Sequence, residues 1–304
     1  MKSPLRKRLP RELKSEFGKY LVVFIMMAIT IGFVSGFLVA DGSMLRAYDD
    51  SFQKYNIEDG YFQTKKKLTP AQKEDIEKSD VKVYENFYIE QKLTNGSTIR
   101  FFKNRKEVDK VCLMNGKMPK KSGEIAVDRM YADNNELKVG DTVKSRKKTF
   151  RITGLVALSD YSALFQNNND TMFDAVKFGV AIVTDKDFEA LNQVKVQYNY
   201  AWIYDKKPAT EKKEKKMAED LMEDMADVVT IESFVPQYQN QSIHFTGDDM
   251  GSDRAMIVML LYIVMAILAF VFGITISNTI TKEAGVIGTL RASGYTRREL
   301  ILHY

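Results

Sequence analysis

The sequence predicts a membrane protein with two transmembrane α-helices flanking an α+β extracytoplasmic domain that has a mixed sheet. Three observations predict it. Tyr20–Ala40 and Ala255–Ile280 are apolar runs of 21 and 26 residues without a charge. The segment between them alternates strand-like and helix-like patterns. The excess of basic residues lies outside both runs, on the ends remote from that segment.

Residues 1–19 carry seven Lys/Arg against Glu12 and Glu16. Leu5, Leu9, Leu13 and Phe17 recur every four residues, so 1–19 is expected to be an amphipathic helix on the cytoplasmic membrane surface. Pro4 suits its first turn, and Pro10 is placed to kink it.

Residues 20–40 form the first expected span. At about 1.5 Å per residue the run covers about 30 Å, the thickness of the hydrocarbon layer. Its basic leader is long and its apolar core exceeds that of a signal peptide, so it reads as an uncleaved anchor. Ala28, Gly32, Gly36 and Ala40 share one face, and small residues at this spacing let another helix approach closely.

Residues 41–254 are expected outside the cytoplasm, because Lys and Arg concentrate on the other side of both runs. Thr69-Pro70 caps a helix running to about Ser79. Lys82–Gln91 and Ser97–Lys103 read as strands joined by the turn Asn95-Gly96. Glu124–Val127 reads as a strand and Asp128–Asn135 as a helix. Thr142–Ser145 and Thr149–Leu155 read as a strand pair, and Phe178–Val183 as a buried strand. Thr184-x-x-Asp187 resembles a capping box for a helix through Asn192. Val194–Tyr204 is a strand. Thr210–Asp227 is a helix with Met217, Ala218, Leu221, Met222, Met225 and Ala226 on one stripe. Val228–Phe234 is the last strand, and Ser159–Asp174 reads as a solvated polar loop.

Residues 255–280 form the second span, with length to spare for tilt. Residues 281–304 are then cytoplasmic. Val286, Ile287 and Leu290 make an apolar helical stripe, Ser293-Gly294-Tyr295 breaks it, and Thr296-x-x-Glu299 caps the start of a further segment.

Composition excludes several functions. The segment between the spans holds 34 basic and 36 acidic residues, which argues against nucleic-acid binding. Cys112 is the only cysteine, so no internal disulfide is possible, and it is expected to be a small buried hydrophobe. His244 and His303 are too few and too far apart for a zinc site. No Ser/His/Asp set, metal spacing or supported carboxylate pair is evident, so no catalytic, cofactor or metal residue is assigned and the chain is not expected to be an enzyme. It lacks a G-x-x-x-x-G-K-[ST] phosphate loop.

Two motifs carry a family resemblance. Glu283-Ala284-Gly285-Val286-Ile287-Gly288-Thr289-Leu290-Arg291-Ala292-Ser293-Gly294-Tyr295-Thr296-Arg297-Arg298 closely resembles the coupling segment of FtsX/MacB-like ABC transporter permeases. Asn115-Gly116-Lys117-Met118-Pro119, Gly123-Glu124-Ile125-Ala126-Val127, Leu137-Lys138-Val139-Gly140-Asp141 and Phe150-Arg151-Ile152-Thr153-Gly154-Leu155 resemble the signature of that family's MacB-like periplasmic core domain.

The resemblance implies a permease subunit in a bacterial plasma membrane, with a separate cytosolic ABC ATPase as partner. It implies pairing with a second permease half or a second copy, and contact with membrane lipid. Glu283, Gly285, Val286, Ile287, Gly288, Leu290, Arg291, Gly294, Arg297 and Arg298 would contact the ATPase. The work done would be export or extraction of a lipid, peptide or drug, or mechanotransmission. The family continues into further spans, so the chain is expected to be the N-terminal part of a longer permease. The competing reading is a two-span sensor with an extracellular ligand-binding domain; Gly285, Gly288 and Gly294 interrupt the heptad linker that a sensor needs.

Overall fold

The computed structural model describes residues 14, 17–145 and 148–301. The predicted amphipathic helix over 1–19 and His303 therefore lie almost wholly outside the described residues. The first described element is a long helix, α1, Phe17–Tyr55. At about 1.5 Å per residue it is roughly twice as long as a bilayer's apolar layer is thick.

Eleven strands and four short helices follow: β1 Gly60–Thr64, α2 Pro70–Glu77, β2 Val81–Glu85, β3 Tyr88–Lys92, β4 Thr98–Lys103, β5 Val111–Gly116, β6 Glu124–Asp128, α3 Arg129–Asn134, β7 Thr142–Lys144, β8 Thr149–Leu158, β9 Phe178–Val183, α4 Asp185–Ala190, β10 Val196–Tyr204, α5 Glu211–Ala226 and β11 Ile231–Pro236. The last described elements are α6 Gln241–Lys282, α7 Ala284–Ala292 and α8 Arg297–Ile301.

Two compact units result, residues 45–249 and the remainder. In the first, one sheet runs β11-β1-β10-β3-β4-β9-β6-β8-β5, with β2 also on β10 and β7 on β8. β4 and β9 pair in parallel, as do β6 and β8, while the other pairs are antiparallel. The sheet is therefore mixed, as predicted. β9, Phe-Gly-Val-Ala-Ile-Val, is buried along its whole length, which is what an unalternating apolar strand between two neighbours requires.

Two apolar cores share this sheet. Phe62, Ile76, Val83, Trp202, Leu221 and Met225 form one, closed by α2 and α5. Ile89, Phe101, Ile125, Phe150, Ile182 and Phe188 belong to the other, with Tyr131 of α3. β10 joins them: Tyr200–Tyr204 pair with β2 and Val196–Gln197 with β3.

Several local expectations need correction. On α5 only Ala218, Leu221 and Met225 are buried; Met222 and Ala226 face outward. Cys112 is half-buried rather than buried, because Val111–Met114 is the edge strand β5 and Leu113 and Met114 are exposed. Thr184 accepts from the Asp187 N–H, but the Asp187 carboxylate does not return the bond. It turns instead to Ser122, the Gly123 N–H and Lys148.

The other unit carries the apolar parts of α1 and α6. Phe24, Ile29, Tyr262 and Phe270 each expose well over half of their side chains. Water does not tolerate apolar surface on this scale along whole helices, and a helix satisfies its own backbone, so these are membrane helices.

Candidate functional site: the anchorage of the long helices

The predicted coupling residues occupy a helix, a turn and a second helix. Glu283 interrupts the helix after Lys282; Gly285, Val286, Ile287, Gly288, Leu290 and Arg291 lie on α7, and Arg297 and Arg298 open α8. Gly294 has φ +95, and the turn is a Schellman motif: Gly294 N–H donates to the Arg291 carbonyl and Tyr295 N–H to that of Leu290. Thr296 and Glu299 form the predicted reciprocal cap, at 2.8 Å and 3.3 Å. The stripe Ala28, Gly32, Gly36, Ala40 is exposed, and a Cβ on Gly32 or Gly36 would meet nothing within 4 Å.

The sequence reading missed a second constellation. Residues 45–55 of α1 and 241–249 of α6 belong to the same compact unit as the sheet. The Tyr48 hydroxyl donates to the Ile243 carbonyl at 2.9 Å. A Cβ on Gly247 would lie 2.7 Å from the Tyr48 ring, so only glycine permits this approach. Phe52 packs on Tyr48 edge-on and lies beside His244. The signal was confined to Gly247, a glycine inside a helical run, which marks a close approach by another group.

The loop expected to be solvated is the clamp on α6. Ala163, Leu164 and Phe165 are buried. Ser162 donates to the carbonyls of Ser242 and Ile243, and the Ala163 N–H bonds the Ser242 carbonyl. Thr246 donates back to the Ser162 carbonyl at 3.1 Å. Asn168 accepts from the Gln241 N–H at 2.9 Å. Phe165, Phe173 and Phe245 form a ring of edge-on contacts.

Residues 56–59 carry α1 into β1 through a buried polar cluster. The Glu58 N–H donates to Asp109 Oδ1 at 2.9 Å, and Asn86 Nδ2 to Asp109 Oδ2 at 3.2 Å. Asn240, beside the start of α6, donates to Glu58 Oε1 at 3.3 Å, and Gln237 donates to the Glu58 carbonyl. Arg105 holds Asp160 with two bonds of 2.7 Å. Burial works against the Arg105 charge, but Asp160 and Asp109 outweigh it and its pKa is raised. Burial, then the nearby Asp109 and Asp160, push the Glu58 carboxyl well above its ordinary range. Burial and Asp160 push Asp109 up to about 7.

Two glycines of the stretches around Asn115 and Phe150 meet across a strand pair. Gly116 of β5 lies opposite Gly154 of β8, and a Cβ on Gly154 would sit 2.6 Å from the Lys117 carbonyl oxygen. Among the described residues, no three His, Cys, Asp or Glu are grouped to hold a metal ion.

Comparison with known proteins finds two solved structures to report. The chain is similar to the extracellular domain of the noncanonic ABC-type transporter YknZ from Gram-positive bacteria, at 12% identity over 57% of this chain and 98% of that one, with a TM-score of 0.30. It is also similar to the periplasmic region of MacB from Actinobacillus actinomycetemcomitans, at 14% identity over 57% of this chain and 87% of that one, with the same TM-score. No family model matches the sequence. No curated protein matches it either.

Proposed function

We propose that the chain is a permease subunit of an ABC transporter. A separate cytosolic ATPase docks on Glu283–Arg298, and its closure shifts α1 and α6, which move the outer domain. Both chain ends then lie in the cytoplasm of a bacterial plasma membrane, with 41–254 outside. The stripe Ala28, Gly32, Gly36, Ala40 faces a second permease half or a second copy.

The observation that carries this reading is the anchorage. Neither long helix reaches the sheet through a free linker: α1 passes through the Glu58 cluster, and α6 starts in the Ser162–Phe173 clamp. A lever needs rigid attachment at its load end, whereas a linker would dissipate displacement. The work done on the outside is export or extraction of a lipid, peptide or drug, or transmission of force to an outer partner.

The test is capture of the ATPase. Detergent-solubilised full chain is expected to co-purify with a Walker-motif ATPase, and Leu290→Asp to abolish capture while the chain still inserts. Insertion and domain folding with no ATPase captured by either protein, in the presence of the ATPase from the neighbouring reading frame, would contradict the proposal.

A further inference from the structure

The cluster beneath the two helices holds more buried acid than buried base. Four elements of the domain meet there. Glu58 follows α1; Arg105 and Asp109 lie between β4 and β5; Asp160 and Tyr161 follow β8; Asn240 precedes α6. Arg100 of β4 and Glu90 of β3 border the cluster, and Tyr61 of β1 and Tyr88 of β3 face it.

The pairing of charges can be followed atom by atom. Arg100 donates to Glu90 from Nε at 3.0 Å and from Nη2 at 2.5 Å, and to Tyr161 at 2.5 Å. Arg105 is committed to Asp160 through both terminal nitrogens. Glu58 and Asp109 share what is left: the Glu58 N–H on Asp109 at 2.9 Å, Arg105 Nη1 at 3.9 Å from Asp109, and the amides of Asn86 and Asn240. Glu58 is 2% exposed and Asp109 0%. Glu58 Oε2 is buried with no hydrogen-bond partner in the protein. A cavity of about 30 Å³, the size of a single water, adjoins Glu58 and is lined also by Asn240, Asp160 and Tyr161.

Two neighbouring carboxylates cannot both ionise in such a place without a second cation. We propose that Glu58 and Asp109 form a proton-binding site, one proton shared between them, that sets how firmly the outer domain holds the ends of α1 and α6. With the proton bound, one carboxyl can donate to the other and the pair is neutral enough to stay buried. With the proton lost, two like charges stand where the chain leaves α1 and enters α6, and the junction is favoured to open toward water.

The direction follows from linkage. The closed junction holds its proton to higher pH than the opened one, in which both carboxyls behave as ordinary exposed acids. Opening therefore releases a proton, and the open population rises with pH, by up to about tenfold per pH unit, until the closed pair itself titrates. The pair titrates as one unit. Tyr48 and Asp49 of α1 and Asp248 of α6 are the other ionisable groups gathered at this end, and His244 lies beside Phe52 with Nε2 buried and without a hydrogen-bond partner.

The site stands on the domain's geometry; only its consequence for coupling rests on the permease reading. The experiment accordingly uses no ATPase. Full chain in lipid nanodiscs is examined by infrared difference spectroscopy between acidic and mildly alkaline pH, and by hydrogen exchange at residues 56–60 and 237–244, corrected for the intrinsic rate. Wild type is expected to show a carboxylic-acid carbonyl band that titrates above the ordinary carboxyl range and is absent from the E58Q difference spectrum. Junction exchange is expected to rise with pH in wild type and to lose that dependence in E58Q and D109N. A band of equal size in wild type, E58Q and D109N would assign it to another acid, such as the buried Asp128, and overturn the proposal. So would junction exchange that follows pH alike in all three. H244Q is expected to leave the rise intact.

Discussion

The Tyr48 hydroxyl donates to the Ile243 carbonyl oxygen across 2.9 Å, joining residues 195 apart in the chain. Tyr48 lies where α1 enters the sheet domain, and Ile243 where α6 leaves it. Their contact is allowed by Gly247, whose missing side chain leaves room for the Tyr48 ring. The domain thus holds the ends of both long helices together, and each of its fastenings can be removed separately.

Gly247→Ala is expected to cost about 1–3 kcal/mol of domain stability, the usual penalty of overpacking a fitted contact. Gly251→Ala, where a Cβ meets nothing within 4 Å, is expected to be neutral or to stabilise by up to about 1 kcal/mol, as alanine does inside a helix. Chemical denaturation of the full chain in detergent compares the two. Equal effects would mean that Tyr48 does not pack on Gly247.

Tyr48→Phe and Ser162→Ala remove two donors to one acceptor, the Ile243 carbonyl. Each alone is expected to cost about 0.5–1.5 kcal/mol. Together they are expected to cost more than the sum, because only the double variant leaves that carbonyl with neither side-chain donor. A double-mutant cycle on denaturation midpoints reads this out, and strict additivity would refute the shared acceptor.

Arg105→Leu is expected to destabilise the domain by about 3–5 kcal/mol, since it strands the buried Asp160 carboxylate without its cation. Adding Asp160→Leu is expected to restore part of the loss. If the double variant were worse than the single, the pair would be more than a buried charge and its counter-ion.

The Asp187 carboxyl gives a pH dependence of ordinary sign. Burial raises its pKa, but Lys148, Ser122 and the Gly123 N–H outweigh burial, so the folded value lies below the usual carboxylate range. Its stabilisation is complete above the unfolded value of about 4 and is lost as pH falls through the folded one. Asp187→Asn is therefore expected to flatten the acid limb of the stability curve. An unchanged acid limb would show that another group governs it.

Much of this was legible in the sequence, and the exceptions have physical causes. The uncharged runs marked the membrane helices, and Thr69, Thr184 and Thr210 marked helix starts because a cap satisfies orphan amides locally. Thr296 and Glu299 were equally local. The anchorage was not legible. Tyr48, Asp109, Ser162 and Ile243 are distant in sequence, and the polar stretch 41–55 hides that α1 runs on to Tyr55. Ser159–Asp174 looked solvated because its Asn and Asp residues outnumber the Phe165 and Phe173 that fasten it. β1 was missed because Gly60–Thr64 is short and lies close to a run of three lysines.

Replacing Gly294 by Ala imposes a side chain on a backbone at φ +95, at a cost of about 1–2 kcal/mol to the turn between α7 and α8. The coupling assignment predicts that this variant inserts and folds but engages the ATPase weakly. Membrane fractionation and ATPase capture measure the two properties, and undiminished capture would count against a role for this turn.

Engagement of the ATPase at the coupling segment is expected to reshape the sheet domain through α1 and α6. Spin labels on the outer domain, one beside Tyr48 and one on β5, would report this as a distance distribution in nanodiscs containing the reconstituted ATPase. Addition of ATP is expected to shift that distribution in wild type and to leave it unchanged in Leu290→Asp. A distribution that ignores ATP in wild type, or that responds equally in Leu290→Asp, would contradict the account.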